Sequence, residues 1–159
     1  MNYQTKSSIL LIVFNRPKIV LKTFYAIKKA KPKKIYIFAD GPRKNNFSDQ
    51  MNCNLVRKLF ERNLKWKCQI IKKYSNTNLG CKKSYSSALK WFFKHEEQGI
   101  IFDDDCVADI SFFKYCDELL KKYHNNNKIL LISGNNYSKK RIKESYFFSK
   151  NPCFYGWAT

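Results

Sequence analysis

"GIIFDDDC", residues 99–106, runs an apolar stretch straight into three adjacent carboxylates. A short continuous apolar run bounded by a glycine reads as a strand buried on both faces. The acids that follow then stand at that strand's carboxyl end. The chain has 31 Lys and Arg against only 12 Asp and Glu, yet three of the 12 stand here side by side. Carboxylates this close repel and raise one another's pKa. A positive group is expected beside them, either a basic side chain or a metal ion.

The same grammar recurs on both sides of this segment. Residues 9–14 (ILLIVF), 34–39 (KIYIFA), 67–74 (KCQIIKKY) and 129–133 (ILLIS) read as further strands. Between them lie amphipathic stretches. Over 18–30, Val20, Phe24 and Ile27 share one helical face, and Pro17 suits the first turn. Ser48 or Asp49 is a candidate cap for a helix carrying Met51, Leu55 and Leu59 on one stripe. Over 81–95 the inward set is Tyr85, Ala88, Leu89 and Phe92. Asp109 is placed to cap a helix with Phe112, Cys116, Leu119 and Tyr123 on one face. The order β-α-β-α-β-α-β-α-β predicts a three-layer α/β/α domain with a mostly parallel central sheet, spanning residues 1–159.

The bulk composition fits one such domain. The chain has 159 residues, 44% hydrophobic and 16% aromatic, enough to build a core. Its net charge of +19 favours anionic partners such as nucleic acid, an acidic membrane surface or phosphorylated metabolites. The lysines fall in short clusters, among them Lys28-Lys29, Lys82-Lys83 and Lys139-Lys140-Arg141. Six cysteines lack CxxC spacing, and two histidines do not accompany them, so a zinc site is not indicated. No segment is long and apolar enough for a signal peptide or a membrane span. The expectation is a cytoplasmic protein with free thiols.

In open α/β sheets, ligands bind outside the carboxyl ends of the strands. Those ends carry Asn15-Arg16-Pro17, Asp40-Gly41, the 75–80 segment SNTNLG, Asp103-Asp104-Asp105 and Gly134-Asn135-Asn136. Hard carboxylate oxygens suit Mg²⁺ or Mn²⁺, and a site with one or two of them leaves coordination positions for phosphate. A glycine-rich loop is missing after the first strand, which argues against a dinucleotide fold or a P-loop.

Taken in order, "ILLIVFNRP", "IFADGPR", "NLGCKKS", "IIFDDDC" and "FYGWAT" resemble the nucleotide-diphospho-sugar transferases of the GT-A fold, with bacterial glycosyltransferase family 2-like proteins the nearest type. The resemblance implies a Rossmann-like donor-binding domain. Asn15, Arg16 and Pro17 would line the base pocket, with Asp40 facing the nucleoside. Asn78 and Gly80 would shape the floor, and Lys83 would lie near the diphosphate. The aspartates match a DxD-type motif: Asp105 binds the metal, Asp104 approaches the ribose, and Asp103 supports the ion or the sugar. Gly156 and Trp157 match a segment beside donor sugar and acceptor. The implied ligands are Mn²⁺ or Mg²⁺, a nucleoside diphosphate sugar (UDP-linked by the resemblance) and a glycan acceptor.

The resemblance also implies that the chain ends at Thr159 before the family's acceptor-side segment, which supplies the catalytic base; neither Glu144 nor Asp109 is placed for that role. The basic surface suits peripheral contact with an anionic membrane, worth about 1 kcal/mol per well-placed Lys or Arg. Two other readings stand beside the transferase. One is a Mg²⁺-dependent nuclease or phosphoesterase, served by clustered acids and positive charge. The other is a non-catalytic nucleotide-sugar-binding fragment. On the first reading no nucleic acid is expected as a partner.

Overall fold

A computed structural model describes residues 3–62, 66–137 and 143–159; the Lys139-Lys140-Arg141 cluster lies outside them. The elements run β1 (Ile9–Val13), α1 (Pro17–Ala30), β2 (Lys34–Ala39), α2 (Phe47–Arg62), β3 (Gln69–Tyr74), α3 (Cys81–Phe92), β4 (Ile100–Asp103), α4 (Ile110–Tyr123), β5 (Ile132–Ser133) and β6 (Trp157–Ala158). One six-stranded sheet has the order β3-β2-β1-β4-β6-β5. β1 pairs in parallel with β2 and with β4, and β2 with β3. β6 inserts antiparallel between β4 and β5. The protein is thus α/β with a mostly parallel sheet and four helices among the described residues.

All five residues of β1 are buried, which explains their unbroken apolar character. Leu11, Ile37 and Phe102 face a cluster built with Val20, Phe24 and Ile27 of α1, Val56 and Phe60 of α2, and Phe113 and Cys116 of α4. Leu10, Tyr36 and Ile101 face a second cluster with Ala88 and Phe92 of α3 and with Trp157. Each fully buried Phe or Ile contributes about 1.5–3 kcal/mol of transfer free energy. Among the described residues no helix is long and apolar enough to cross a membrane.

α1 begins with Pro17 at its first position and buries Val20, Phe24 and Ile27, as its spacing predicts. The Asp109 side chain caps α4 by accepting from the Ser111 N–H. Two expectations are corrected. In α2 the cap is Asn46, whose Oδ1 accepts from the Asp49 N–H at 2.9 Å. The helix starts ahead of Ser48, and its core face carries Cys53, Val56 and Phe60 while Met51 and Leu55 are exposed. On α4, Phe113 rather than Phe112 is fully buried, and Leu120 joins it. β6 has no counterpart in the sequence reading: two residues show no alternation, and their pairing is long-range.

A cleft at the carboxyl ends of β1, β2 and β4

From β1 the chain steps outward to β2 and β3, then returns to the other side of β1 as β4. Strand order therefore reverses between β1 and β4, and the two parallel carboxyl ends open a crevice there. An open cleft of about 2170 Å³ occupies this edge. It exceeds the ~300–1,000 Å³ of a typical enclosed single-ligand pocket because it is open to solvent.

The register Ile12↔Asp103 brings the end of β4 beside that of β1. The positive group expected near the acids is Arg16. Its guanidinium forks onto Asp104, with Nε donating to Oδ2 at 3.1 Å and Nη2 donating to Oδ1. Nη2 also reaches Asp105 Oδ2 at 3.2 Å. Asp104 is only 4% exposed, and its carbonyl accepts from the buried Thr23 hydroxyl at 2.7 Å. Burial raises the Asp104 pKa, and the Arg16 bonds oppose that rise. Asp104 thus acts as an anchor between β4, α1 and Arg16, with its carboxylate occupied.

Asp103 is in a different position. Among the described residues no side chain hydrogen-bonds its carboxylate. Burial pushes its pKa from 3.8 to about 6, and the charges of Asp105 and Asp104 add to the rise. Asp105 is exposed at the mouth. The next residue, Cys106, has its thiol pushed up to about 11 by burial, which keeps it a thiol at neutral pH.

The neighbouring strand ends are stitched together. Asp40, 4% exposed, accepts at Oδ1 from the Gly41 and Leu79 N–H groups, and at Oδ2 from the Asn78 side chain. Asn78 Nδ2 also donates to the Gly41 carbonyl. A Cβ at Gly41 would stand 2.6 Å from Thr77 backbone atoms, so only glycine allows this approach. Gly80 opens α3 at φ +76°, a left-handed conformation that favours glycine. Asn15 donates from Nδ2 to Asp49 Oδ1 at 2.6 Å. Arg43 holds both oxygens of the same buried carboxylate and keeps its pKa well below the usual range.

The cleft wall thus includes Asn15, Arg16, Asp40, Asn78, Gly80, Asp103, Asp104, Asp105 and Gly156. Pro17, Lys83 and Trp157 are not part of that wall. Lys83 is exposed on α3. Trp157 is buried in the second core cluster, and its indole N–H donates to the Tyr85 hydroxyl at 2.9 Å. Sequence reasoning did not single out Arg43, Asp49 as a partner of Asn15, or Tyr85 as a wall residue. The Asn15–Asp49 and Tyr85–Trp157 contacts span 34 and 72 residues of chain, whereas Arg43 pairs with Asp49 only six residues on.

Among the described residues no group of three or more His, Cys, Asp and Glu side chains gathers to hold a metal. Arg16 takes Asp104 with two bonds and Asp105 with one, so a cation at this edge would have Asp103 as its unpaired carboxylate donor and Asp105 only in exchange for its single bond to Arg16. Two hard oxygen donors at an open cleft fit Mg²⁺ or Mn²⁺, which complete their coordination with water and phosphate. Fold and cleft together define an α/β protein, compatible with a Rossmann-like fold, with a crevice at its topological switch point. No family model matches the chain, and no curated protein matches it either.

Proposed function

We propose that the cleft binds a nucleoside diphosphate sugar with a divalent cation, and that the chain is a glycosyltransferase or its donor-binding half. In the finer fold description, helical layers on both faces of the sheet make a three-layer α/β/α domain, as in a GT-A donor domain. The observation that supports this best is the meeting of Asp103 and Asp105 with Arg16, Asn15 and Asp40 in one crevice at the switch point.

In this reading Asp103 and Asp105 hold the cation. When bound, it supplies electrostatic stabilisation of the charge that builds on the departing diphosphate. Arg16 keeps Asp104 neutralised and fixes the spacing of the acids. The bonds from Asp40 to the 78–79 backbone shape the pocket beside the nucleoside. An acceptor hydroxyl would attack the anomeric carbon, transferring its proton to a base that this chain's residues do not identify; Asp109 is committed to capping α4.

Thermal shift tests the proposal, because a ligand that binds only the native state raises Tm by mass action. UDP should stabilise the chain in the presence of Mn²⁺, much less without it, and not in Asp105→Asn. Stabilisation by short DNA with metal-dependent cleavage, and no response to UDP, would replace this reading with a phosphoesterase.

A further inference from the structure

α2 has two apolar faces. Asp49, Cys53, Val56 and Phe60 point to the core. At ~3.6 residues per turn, Phe47, Met51 and Leu55 form an i, i+4, i+8 stripe on roughly the opposite side. They are 77%, 52% and 47% exposed. Lys58 shares that side and Lys44 precedes the helix; both are exposed. Residues 43–62 hold five basic side chains and two acidic ones. Asp49 is turned inward and paired with Arg43, and Arg57 donates inward to the Asp40 and Ser75 carbonyls, which leaves Lys44 and Lys58 exposed against the single exposed acid Glu61. The outward face therefore combines an apolar stripe with positive charge, the pattern of a helix lying in a lipid headgroup region.

We infer that the outer face of α2 docks the protein on an anionic bilayer, with Phe47, Met51 and Leu55 entering the interface and Lys44 and Lys58 meeting lipid phosphates. A second copy of the chain fits less well. The stripe exposes on the order of 300–400 Å², against the ~800 Å² per partner of a stable interface. Pairing would also bring together two chains of net charge +19. Nucleic acid would use the lysines but leave the three apolar side chains in water.

The geometry has a consequence for the cleft. α2 starts just beyond Arg43, which lines the cleft wall. A bilayer seated on Phe47 therefore lies beside the cleft mouth, and on the nucleotide-sugar reading this favours an acceptor presented at the membrane surface. Docking itself does not depend on that reading.

Vesicle co-sedimentation tests the inference, comparing phosphatidylcholine with phosphatidylcholine–phosphatidylglycerol vesicles. The chain should bind the anionic vesicles, and the triple variant Phe47→Ser, Met51→Ser, Leu55→Ser should lose about tenfold or more of that affinity. Lys44→Gln with Lys58→Gln should weaken binding and its salt dependence. Tyr25→Ser, on the outer face of α1, should leave binding unchanged. In a second measurement, the Phe47→Trp variant should show extra quenching by brominated lipid relative to the parent chain, which needs no destabilising change. Absence of vesicle binding, full binding by the triple variant, or no added quenching would each overturn the proposal. So would a dimer that the triple variant dissociates without any vesicle binding, or duplex DNA binding in place of vesicle binding. UDP binding measured on the same samples should be unaffected by the triple variant, so loss of one reading is distinguishable from loss of the other.

Discussion

Replacing Asp103 by Asn should stabilise the protein at neutral pH while removing its cation response. The Asp103 carboxyl ionises near 3.8 when free in the unfolded chain and near 6 in the fold. Between those values the folded state binds more protons than the unfolded one, so stability falls as pH rises through this window. Above it the cost of holding the charge is fully present. At ~1.36 kcal/mol per pKa unit the ceiling is about 3 kcal/mol. The carboxyl is partly open to solvent in the cleft, which reduces this to about 1–2 kcal/mol. For a chain of this size that amounts to roughly 2–8 °C in Tm. Thermal unfolding of parent and Asp103→Asn, monitored by circular dichroism, should give coincident Tm values at about pH 4 and the largest gap above about pH 7, with the variant higher. Adding Mn²⁺ should raise the parent alone. A variant less stable than the parent at neutral pH, or a gap that does not change with pH, would refute the reasoning.

Arg16→Gln leaves the buried Asp104 without its cation; because Arg16 is itself half-exposed, the loss should be about 1–3 kcal/mol in urea unfolding. Adding Asp104→Asn to that variant should recover much of it. Gly41→Ala forces the 40–42 turn away from Thr77 and should cost about 1–3 kcal/mol, with weaker UDP binding by calorimetry. Asp117 accepts from the Lys6 and Ser7 N–H groups and from the hydroxyls of Thr5, Ser7 and Tyr3, and these bonds outweigh burial to hold its pKa below the ordinary value. Its contribution is present above the ordinary carboxylate pKa and is lost as pH falls through the lowered one. Asp117→Asn should therefore destabilise the fold at neutral pH, with the difference shrinking below about pH 4 in the same unfolding assay.

Elements with one apolar face were readable from the chain. Pro17, Val20, Phe24 and Ile27 mark α1 because a single stripe leaves no choice of orientation. The orientation of α2 was not readable for a physical reason: periodicity reports that apolar residues share a face, not which face meets the sheet. Both Cys53-Val56-Phe60 and Phe47-Met51-Leu55 satisfy it. β6 was invisible because its two residues become a strand only by pairing with Ile100, Ile101, Ile132 and Ser133.

The acid cluster shows the same division. That Asp103–Asp105 needed a positive neighbour followed from charge alone. That the neighbour is Arg16 depends on β4 lying beside β1, which brings together residues 88 positions apart. Asp40 likewise read as a strand-end group facing the nucleoside. Its bonds to Gly41, Asn78 and Leu79 show that it joins two loops of the cleft wall.

On the proposed function, Asp103 and Asp105 share a cation with a diphosphate at the β1–β4 crevice. A crystal structure grown with UDP and Mn²⁺, with data collected at the manganese absorption edge, tests it most directly. Expected is an anomalous peak within coordination distance of both carboxylates and of the diphosphate, with the nucleoside lying toward Asn15 and Asp40. Manganese away from these aspartates, or UDP bound outside the cleft, would contradict it.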